Sequence, residues 1–455
     1  MALSLYNNKD KQKYFLNHYR SKKLDDGYLV TNDYGSWVYL SKEEFKQLKI
    51  EKIDDKLFDV LVNKKIVLTK DNIQQSIIEY RKKMGYLFQG TSLHIVVPTL
   101  RCNLKCIYCH AKAKGKDETN YDMDIETAKK TVDFIFQSPS KSLTIEFQGG
   151  EPLLRFDLIK YIVEYALELN EKYGKNVEFS VVTNLTLMKD EYLEYFISRG
   201  VGICTSLDGH ESVHNKNRAE YKKTAFWIKK ILGKYTLNAM LLTTKHTLPY
   251  HKEVVGEYVK FKFPRIWIKP VNNIGFANSN WDKIGMSPDE YLEFWKKSLD
   301  YIVKGKNDIV ENYTKILLQK ILTNKSVNFT DLQSPCGAAI GQLAYNYDGN
   351  IYSCDEGRLF EIFQLGTVED SYKDIVTSGS SCAIVKSSLN DNPYCERCAY
   401  KPYCGLCPVC NYARTGNIIS KLPDDRCKIL MGMFDYIFEK LVNDEEYRNV
   451  LMKWV

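Results

Sequence analysis

Short apolar segments alternate with helix-like spacers over residues 93–271, and this alternation constrains the fold more than any other feature of the chain. Six segments have the length and composition of buried strands: LHIVVP, LTIEF, VEFSVVT, VGICTSL, LNAMLLTT and RIWIKPV. Helical patterns separate them at residues 125–136, 158–173, 191–198, 222–232 and 250–261. Such βα units predict an α/β fold with a partial (β/α)6 barrel. Functional residues of parallel barrels lie where the strands end, because the βα loops converge there.

Three cysteines directly follow the first of these strands: Cys102, Cys106 and Cys109 in TLRCNLKCIYCHAK. Three thiolates can hold three irons of a 4Fe-4S cluster and leave the fourth iron open, whereas four-cysteine electron-transfer sites close every iron. A structural zinc knot is the alternative, but it requires four ligands, usually in two close pairs. The Cys-x3-Cys-x2-Cys spacing therefore favours a cluster with one iron open to a cofactor.

This motif resembles the signature of the radical S-adenosylmethionine (SAM) enzymes, in which the open iron chelates the amino and carboxylate groups of SAM. The resemblance implies that SAM is cleaved to methionine and a 5′-deoxyadenosyl radical, which abstracts a hydrogen atom from a substrate carbon. It also implies an oxidoreductase that takes its electron from a donor such as flavodoxin or ferredoxin.

Further residues at or near strand ends resemble the SAM-contacting elements of these enzymes. Tyr108 stands where the family places an aromatic residue against the adenine, and FQGGEP resembles its GGEP element, whose glycine carbonyls accept from the SAM ammonium. Ser206 in SLDG and Arg218 in HNKNR are implied to contact the ribose and carboxylate, since an arginine can donate two parallel hydrogen bonds to a carboxylate. Glu151 is either a further acceptor or structural. The implied SAM-binding set is Tyr108, Gln148, Gly149, Gly150, Glu151, Asn184, Ser206 and Arg218.

The region from Cys336 onwards holds nine of the thirteen cysteines and little apolar periodicity. A cysteine-dense region that is poor in core residues is best explained by metal clusters that supply folding energy. The stretches CGAAIGQLAYNYDGNIYSCDEG and CERCAYKPYC resemble the opening and the middle of a SPASM domain, which binds two auxiliary 4Fe-4S clusters.

Carried over by position, this resemblance implies two ligand sets. Four cysteines would hold the second auxiliary cluster: Cys395, Cys398, Cys404 and Cys427. Cys336 and Cys354 would hold the first, together with a later cysteine. The chain departs from the family at Pro408, where the family has a cysteine, and Cys407, Cys410 or both are candidates instead. These candidates allow either an open or a closed iron in the first cluster.

Asp355, directly after Cys354, matches an aspartate that acts as a base in sulfatase-maturing relatives. A carboxylate beside a cluster could remove the proton of a substrate thiol or hydroxyl while carbon is oxidised. Glu356 is the rival candidate, and either carboxylate could instead pair with Arg358. No catalytic role is expected for the following residues. Cys204 is expected to be buried in its strand, Cys382 to lie in a polar loop, and the histidines, including His110, to be structural or solvated.

Residues 1–88 indicate a winged-helix-like module, with extended segments at 28–30 and 37–40 followed by small helices. The sequence Ser41-Lys42-Glu43-Glu44 has the form of a capping box, which predicts a helix start at Ser41. Similar modules in peptide-modifying radical SAM enzymes bind the leader of a precursor peptide as an added strand. A structural cap or a dimer contact is the alternative.

Four domains result: residues 1–88 as the leader-recognition module, 89–280 as the radical SAM partial barrel, 281–330 as a helical bridge, and 331–455 as the SPASM domain. The net charge of +7 comes from scattered lysines, without the basic block that indicates nucleic-acid binding. No run approaches the roughly 18 apolar residues of a membrane span, and MALSLYNNKDKQKY lacks a secretion signal. The chain is therefore expected in the cytoplasm, with neither nucleic acid nor membrane as partner.

Together, these resemblances imply a radical SAM maturase that oxidatively cross-links a ribosomally synthesised precursor peptide, with a thioether from a cysteine thiol as the favoured bond. A formylglycine-forming sulfatase maturase or another radical SAM dehydrogenase is the alternative among enzymes. An iron-sulfur scaffold without SAM chemistry is the alternative from another class, and it leaves the GGEP, Ser206 and Arg218 set unexplained.

Overall fold

The structure is a computed structural model, and it describes residues 14–323 and 332–455. Residues 1–13 lie outside the described residues, and they make up most of the segment MALSLYNNKDKQKY. The last residues of the predicted helical bridge, 324–330, also lie outside them. Within the described ranges, no helix combines the length and apolar character that crossing a membrane requires.

Residues 14–83 form a small sheet and three helices around their own core. The elements are β1 Phe15–Leu16, β2 Tyr19–Leu24, β3 Gly27–Asn32, β4 Trp37–Leu40, α1 Lys42–Lys49, α2 Asp55–Asn63, β5 Val67–Leu68 and α3 Ile73–Lys83. Strands β2, β3 and β4 pair antiparallel in that order, and β1 pairs with β5. The predicted capping box is present at Ser41, whose side chain accepts from the Glu44 backbone amide. Val30, Leu40 and Leu48 are fully or almost fully buried in the core beneath these elements.

The central unit is the predicted partial barrel, which is confirmed. Its strands are β6 Leu93–Thr99, β9 Ser142–Gly149, β10 Asn176–Val182, β11 Gly202–Ser206, β12 Leu237–Thr243 and β13 Arg265–Pro270, and two short strands, β7 Arg101–Cys102 and β8 Lys114–Gly115, lie in the loop after β6. The six long strands are parallel and neighbour one another in the order β6, β9, β10, β11, β12, β13.

Helices on the outside of the barrel connect its strands: α4 Ile125–Phe136, α5 Phe156–Tyr173, α6 Asp190–Ser198, α7 Glu211–Asn217, α8 Tyr221–Leu232 and α9 His251–Lys260. Strand β9 illustrates how the strands pack against the core. Leu143, Ile145 and Phe147 are buried in the main core, whereas the alternating Glu146 and Gln148 lie on the opposite face of the strand and are only half-buried.

The cysteine-rich region is not separate from the barrel, which sequence reasoning did not anticipate. The sheet continues beyond β6 into β15 Gln342–Tyr345, β16 Asn350–Tyr352 and β17 Gln364–Thr367, and beyond β13 into β14 Val310–Glu311. Strand β15 pairs parallel to β6, so that Gln342 lies opposite Leu93. Strand β16 runs back antiparallel to β15, so the loop that carries Cys354 and Asp355 begins toward the amino-terminal end of β6, whereas the first three cysteines follow the carboxyl end of β6.

The helices described between β13 and β15 are α10 Phe276–Ser279, α11 Trp281–Ile284, α12 Pro288–Lys304 and α13 Asn312–Leu322. The helices that follow β17 are α14 Tyr372–Thr377, α15 Gly379–Ser387, α16 Pro393–Glu396, α17 Pro408–Thr415, α18 Asp425–Asn443 and α19 Glu445–Met452. The expectation that the tail is poor in core residues is wrong for α18. Met433, Phe434 and Ile437 on this helix are completely buried, and Tyr436 meets Trp295 of α12 edge to face at 5.6 Å. Apolar burial as well as any cluster therefore stabilises the tail.

The amino-terminal module docks directly on the cysteine-rich region. The Arg20 side chain is only 2% exposed, and its guanidinium donates to the Glu396 backbone carbonyl at 2.8 Å, to the Glu396 carboxylate at 2.9 Å and to Asp33 at 2.6 Å. Thr31 donates to the carbonyl of Ala399 at 2.7 Å. Glu396 and Ala399 each stand next to a cysteine of the predicted second cluster set, so the module contacts that set through its immediate chain neighbours.

Candidate active site

The loop after β6 places Cys102, Cys106 and Cys109 at the carboxyl end of the barrel. The Cys109 backbone amide donates to the Cys106 carbonyl at 3.2 Å, and the Leu104 amide donates to the Cys102 thiol at 3.4 Å. All three cysteines are half-buried. Burial raises the pKa of Cys102 to about 12 and also raises the pKa of Cys106, so iron binding would have to displace the thiol protons.

Loops from other strand ends hold this cysteine loop in place. Behind it, the Ile107 amide donates to the Asn217 carbonyl at 3.0 Å. The Phe276 amide donates to the Cys109 carbonyl at 2.9 Å, and the Asn280 side chain donates to the Ile107 carbonyl at 2.9 Å. The convergence of βα loops expected at the carboxyl end of a parallel barrel is therefore what shapes the loop.

The two glycines of FQGGEP are required by the close approach of β9 to the cysteine loop. A Cβ atom on Gly149 would lie 2.3 Å from the Thr99 carbonyl oxygen, and one on Gly150 would lie 2.1 Å from the Arg101 carbonyl oxygen. Gly149 also has a φ of +131°, which L side chains rarely adopt. The glycines thus let the backbone approach the segment that carries Cys102, in addition to any approach to a ligand.

Glu151 makes structural contacts within the protein. Its side chain is almost fully buried, and its carboxylate accepts from the Thr183 hydroxyl at 2.6 Å, the Asn184 amide at 2.8 Å and the Leu153 amide at 3.1 Å. Burial raises the pKa of Glu151 to about 7. Donors of the protein occupy both carboxylate oxygens, so Glu151 joins the ends of β9 and β10.

A buried triad anchors Tyr108. The Tyr108 hydroxyl donates to Asp208 at 2.6 Å and accepts a hydrogen bond from Nε of Arg218. The guanidinium carbon of Arg218 lies 5.4 Å from the centre of the Tyr108 ring, and Nε lies 3.7 Å from the Asp208 carboxylate. Sequence reasoning missed Asp208, although it lies in the same SLDG motif as Ser206.

The remaining members of the predicted SAM set lie at neighbouring strand ends. The Asn184 side chain donates to Asn103 at 3.0 Å and lies 4.0 Å from the Cys102 sulfur. Gln148 donates to Glu146 at 2.6 Å on the half-buried face of β9. Ser206 is the half-buried last residue of β11.

Asp355 contacts both the cysteine loop and its own loop. Its carboxylate lies 2.7 Å from Nε2 of His110 and accepts from Arg358 at 2.6 Å and 3.1 Å. Burial alone would raise the pKa of Asp355, but the charges of Arg358 and His110 outweigh burial and hold the pKa well below its usual range. The sequence predicted that His110 is structural or solvated, and it did not predict that His110 contacts Asp355, the candidate base. The two residues are 245 positions apart, so no spacing could indicate their pairing.

The tail cysteines form two groups. One cavity is lined by the four cysteines of the predicted second set, which are Cys395, Cys398, Cys404 and Cys427. Cys407 lines the same cavity. A second group consists of Cys336, Cys354 and Cys407, which share an apolar cluster that includes Phe363. The Cys410 amide donates to the Cys407 sulfur at 3.4 Å, so both candidates beside Pro408 lie near this group.

These donor sets fit iron-sulfur clusters. In the described part of the chain, no three Cys, His, Asp or Glu side chains are close enough to share one metal ion. A four-iron cluster instead takes each thiolate on a separate iron, which suits cysteines gathered around a cavity. Two other cysteines lie apart from these sets: Cys204 is half-buried on β11, and Cys382 is exposed on α15, in a helix where a polar loop was predicted.

Comparison with known proteins agrees with this geometry. The Radical SAM superfamily matches residues 96–255. A cysteine-type anaerobic sulfatase-maturating enzyme from Clostridium perfringens is 25% identical over 378 residues, which cover 77% of this chain and 97% of that enzyme.

Two solved structures share the fold. Native anSMEcpe with bound AdoMet superposes with a TM-score of 0.66 at 21% identity and covers 79% of this chain and 100% of its own. Streptococcus suis SuiB bound to the precursor peptide SuiA has a TM-score of 0.55 at 16% identity and covers 87% of this chain and 96% of its own.

Proposed function

Because the chain belongs to the radical SAM superfamily, we propose that it is a maturase that oxidatively cross-links a ribosomally synthesised precursor peptide, with a thioether from a cysteine thiol as the bond formed. It is a radical SAM enzyme, a class that uses SAM and a 4Fe-4S cluster. The observation that carries the proposal is the packing of the loop with Cys102, Cys106 and Cys109 against the glycines of FQGGEP and the triad of Tyr108, Asp208 and Arg218.

When bound, SAM and its cluster would supply a 5′-deoxyadenosyl radical, and the auxiliary clusters would supply an electron acceptor. Thioether formation then balances: the target carbon loses a hydrogen atom to the radical, the thiol loses a proton, and the new C–S bond forms as one electron leaves. We propose that the tail cysteines Cys336, Cys354, Cys395, Cys398, Cys404, Cys407, Cys410 and Cys427 provide the auxiliary ligands.

Arg218 is suited to the SAM carboxylate. Its Nε is held by Tyr108, and within the described residues its terminal nitrogens donate no hydrogen bond. A guanidinium fixed at Nε can present its other nitrogens to a carboxylate with little loss of conformational freedom. We assign Tyr108 to the adenine side of the site, and Gln148, Gly149, Gly150, Asn184 and Ser206 to the remaining polar contacts. Glu151 supports the site by holding the Asn184 backbone.

Asp355 is the proposed residue for handling the substrate thiol. It belongs to the Cys354 loop and contacts the cysteine loop through His110, and its side chain is 13% exposed. His110 and Arg358 fix the direction of its carboxylate, which orients the remaining acceptor lone pairs.

A peptide substrate is supported by the module at residues 14–88 and by the fold shared with SuiB, which has been solved with its precursor peptide. Leader recognition by this module is part of the proposal. Formylglycine formation is the second candidate function, because the sulfatase-maturating enzyme of C. perfringens aligns over 97% of its length.

The test is anaerobic incubation of the reconstituted protein with SAM and a reductant, followed by quantification of 5′-deoxyadenosine. We expect the nucleoside well above background; none would favour an iron-sulfur scaffold and contradict the proposal. Two peptides then separate the enzyme functions: a cysteine-bearing precursor encoded beside the gene, and a sulfatase peptide with its target cysteine. Cross-linking of the precursor by mass spectrometry supports the first function, and aldehyde formation on the sulfatase peptide supports the second.

A further inference from the structure

A cavity of about 310 Å³ lies where the amino-terminal module, α13 and the cysteine-rich region meet. Lys83 at the end of α3 and Lys320 on α13 face it from different elements. Aromatic and apolar side chains form much of the remaining wall: Tyr80, Met84, Tyr86, Leu389 and Pro402. None of these residues has a role in the SAM site.

Both lysines are half-buried, and their ammonium groups contact backbone carbonyls. Nζ of Lys83 donates to the Tyr34 carbonyl at 3.1 Å and to the Pro402 carbonyl at 3.2 Å, and Nζ of Lys320 donates to the Leu332 carbonyl. Among the described residues, no carboxylate forms an ion pair with either ammonium group. Of the acidic residues of the wall, Asp391 pairs with Lys386, and Asp33 pairs with Arg20 while its charge also attracts the Lys83 ammonium group at longer range.

Two ammonium groups that have no carboxylate partner among residues 14–323 and 332–455 are costly in such a place. An ammonium group removed from water without an anion is destabilised strongly, and two of them close together also repel each other. Burial lowers the pKa of Lys83 to about 8. An anion in the cavity would offset both effects.

We propose that this cavity binds an aspartate or glutamate side chain of the precursor peptide. The proposal deepens the leader-recognition role of the module and rests on it. A carboxylate would accept charge-assisted hydrogen bonds from Lys83 and Lys320, while its methylene stem would pack on the apolar wall. The cavity volume is at the lower end for ligand sites, which suits one or two side chains of a peptide. An acidic leader bound here would be next to Cys404, which also lines the cavity.

Calorimetric titration of the full-length, cluster-loaded protein tests this proposal. The probe is blocked hexaglutamate, and blocked hexaglutamine and inorganic phosphate are the comparison ligands. We expect hexaglutamate to bind and hexaglutamine not to bind. Lys320→Met should weaken hexaglutamate binding by about tenfold or more, which is the usual consequence of losing a charge-assisted hydrogen bond. Lys82→Met, an exposed neighbour on α3, is the matched control and should bind within about twofold of wild type.

Equal affinity of the wild type and the Lys320→Met variant for hexaglutamate would overturn the proposal. So would binding of phosphate without binding of hexaglutamate, because the cavity would then be a free-anion site. If the variant does not fold, a measurement on the wild type tests the proposal instead. Hexaglutamate should protect Lys83 and Lys320 from acetylation, which mass spectrometry measures. Unchanged acetylation would contradict the proposal. None of these measurements uses SAM, so the outcome is independent of the 5′-deoxyadenosine assay.

Discussion

Nε2 of His110 lies 2.7 Å from the Asp355 carboxylate, and this contact joins the loop of the first three cysteines to the loop of Cys354. Arg358 holds the same carboxylate from the other side. Because β15 runs parallel to β6 and β16 runs antiparallel to β15, the Cys354 loop begins toward the amino-terminal end of β6, and the contact between His110 and Asp355 bridges loops that leave opposite ends of the sheet. The proposed substrate chemistry at Asp355 is therefore coupled structurally to the proposed SAM site.

Asp355→Ala should lower the yield of cross-linked peptide more than the yield of 5′-deoxyadenosine, because the carboxylate is proposed to act on the substrate thiol and not on SAM. His110→Ala should lower the cross-link yield less, because Arg358 still holds Asp355. Both products can be quantified in one reaction by mass spectrometry. Asp117→Ala, at an exposed position, is the control. Full cross-link yield from the Asp355 variant would remove the residue from the mechanism.

Replacing Cys102, Cys106 and Cys109 together by alanine should abolish SAM cleavage and leave the iron of the tail clusters. The three thiols share one loop, and the tail cysteines gather around separate groups of side chains. Iron content and 5′-deoxyadenosine are the measurements. Cys382→Ala changes an exposed cysteine and should alter neither. Continued SAM cleavage by the triple variant would contradict the assignment of this loop.

Gly150→Ala should strongly reduce SAM cleavage and iron at the first cluster. Its Cβ would lie 2.1 Å from the Arg101 carbonyl oxygen, so the segment that carries Cys102 must move. Gly256→Ala is a matched control within α9, where the added methyl group meets nothing within 4 Å. We expect this control to keep full activity and to gain about 0.5–1 kcal/mol of stability from helix propensity. Normal activity of Gly150→Ala would show that the loop tolerates displacement.

Arg20→Met should destabilise the docked module by roughly 1–3 kcal/mol, measured as the free energy of unfolding in urea. Loss of a partner from a buried ion pair costs more than this, but Glu396 and Asp33 are 41% and 44% exposed, so water compensates in part. The iron content of the second cluster should also fall in this variant, because Glu396 directly follows Cys395. Lys23→Met, exposed on the same strand, is the control. Identical unfolding curves for the Arg20 variant and the wild type would show that the contact between Arg20 and Glu396 does not stabilise the docking of the module.

Glu151 predicts a pH dependence of stability. Burial raises its pKa from 4.5 to about 7, so the folded state binds this proton more tightly than the unfolded state does. Its contribution is therefore fully present below pH 4.5 and is lost as pH rises through about 7. Relative to Glu151→Gln, the wild type should lose up to about 3 kcal/mol of unfolding free energy across this range. Urea titrations at the two ends of the range measure the difference, and parallel pH profiles would contradict the prediction.

Local patterns predicted much of this molecule. The helix predicted at residues 125–136 is α4 Ile125–Phe136, and each predicted barrel strand overlaps an observed one. Helix α18 was missed although its apolar residues at 430, 433, 434, 437, 438 and 441 recur at helical spacing, because the cysteine motifs directed the interpretation of that region.

The order of strands and helices in the barrel, and the position of three cysteines at the end of its first strand, were determined by the sequence alone, because periodicity and motif spacing act over a few neighbouring residues. Only the tertiary structure decided that β15 pairs beside β6, that His110 meets Asp355, and that Lys83 and Lys320 face one cavity. These contacts join residues separated by more than two hundred positions, and such contacts depend on how whole sheets and helices pack, which no local pattern encodes.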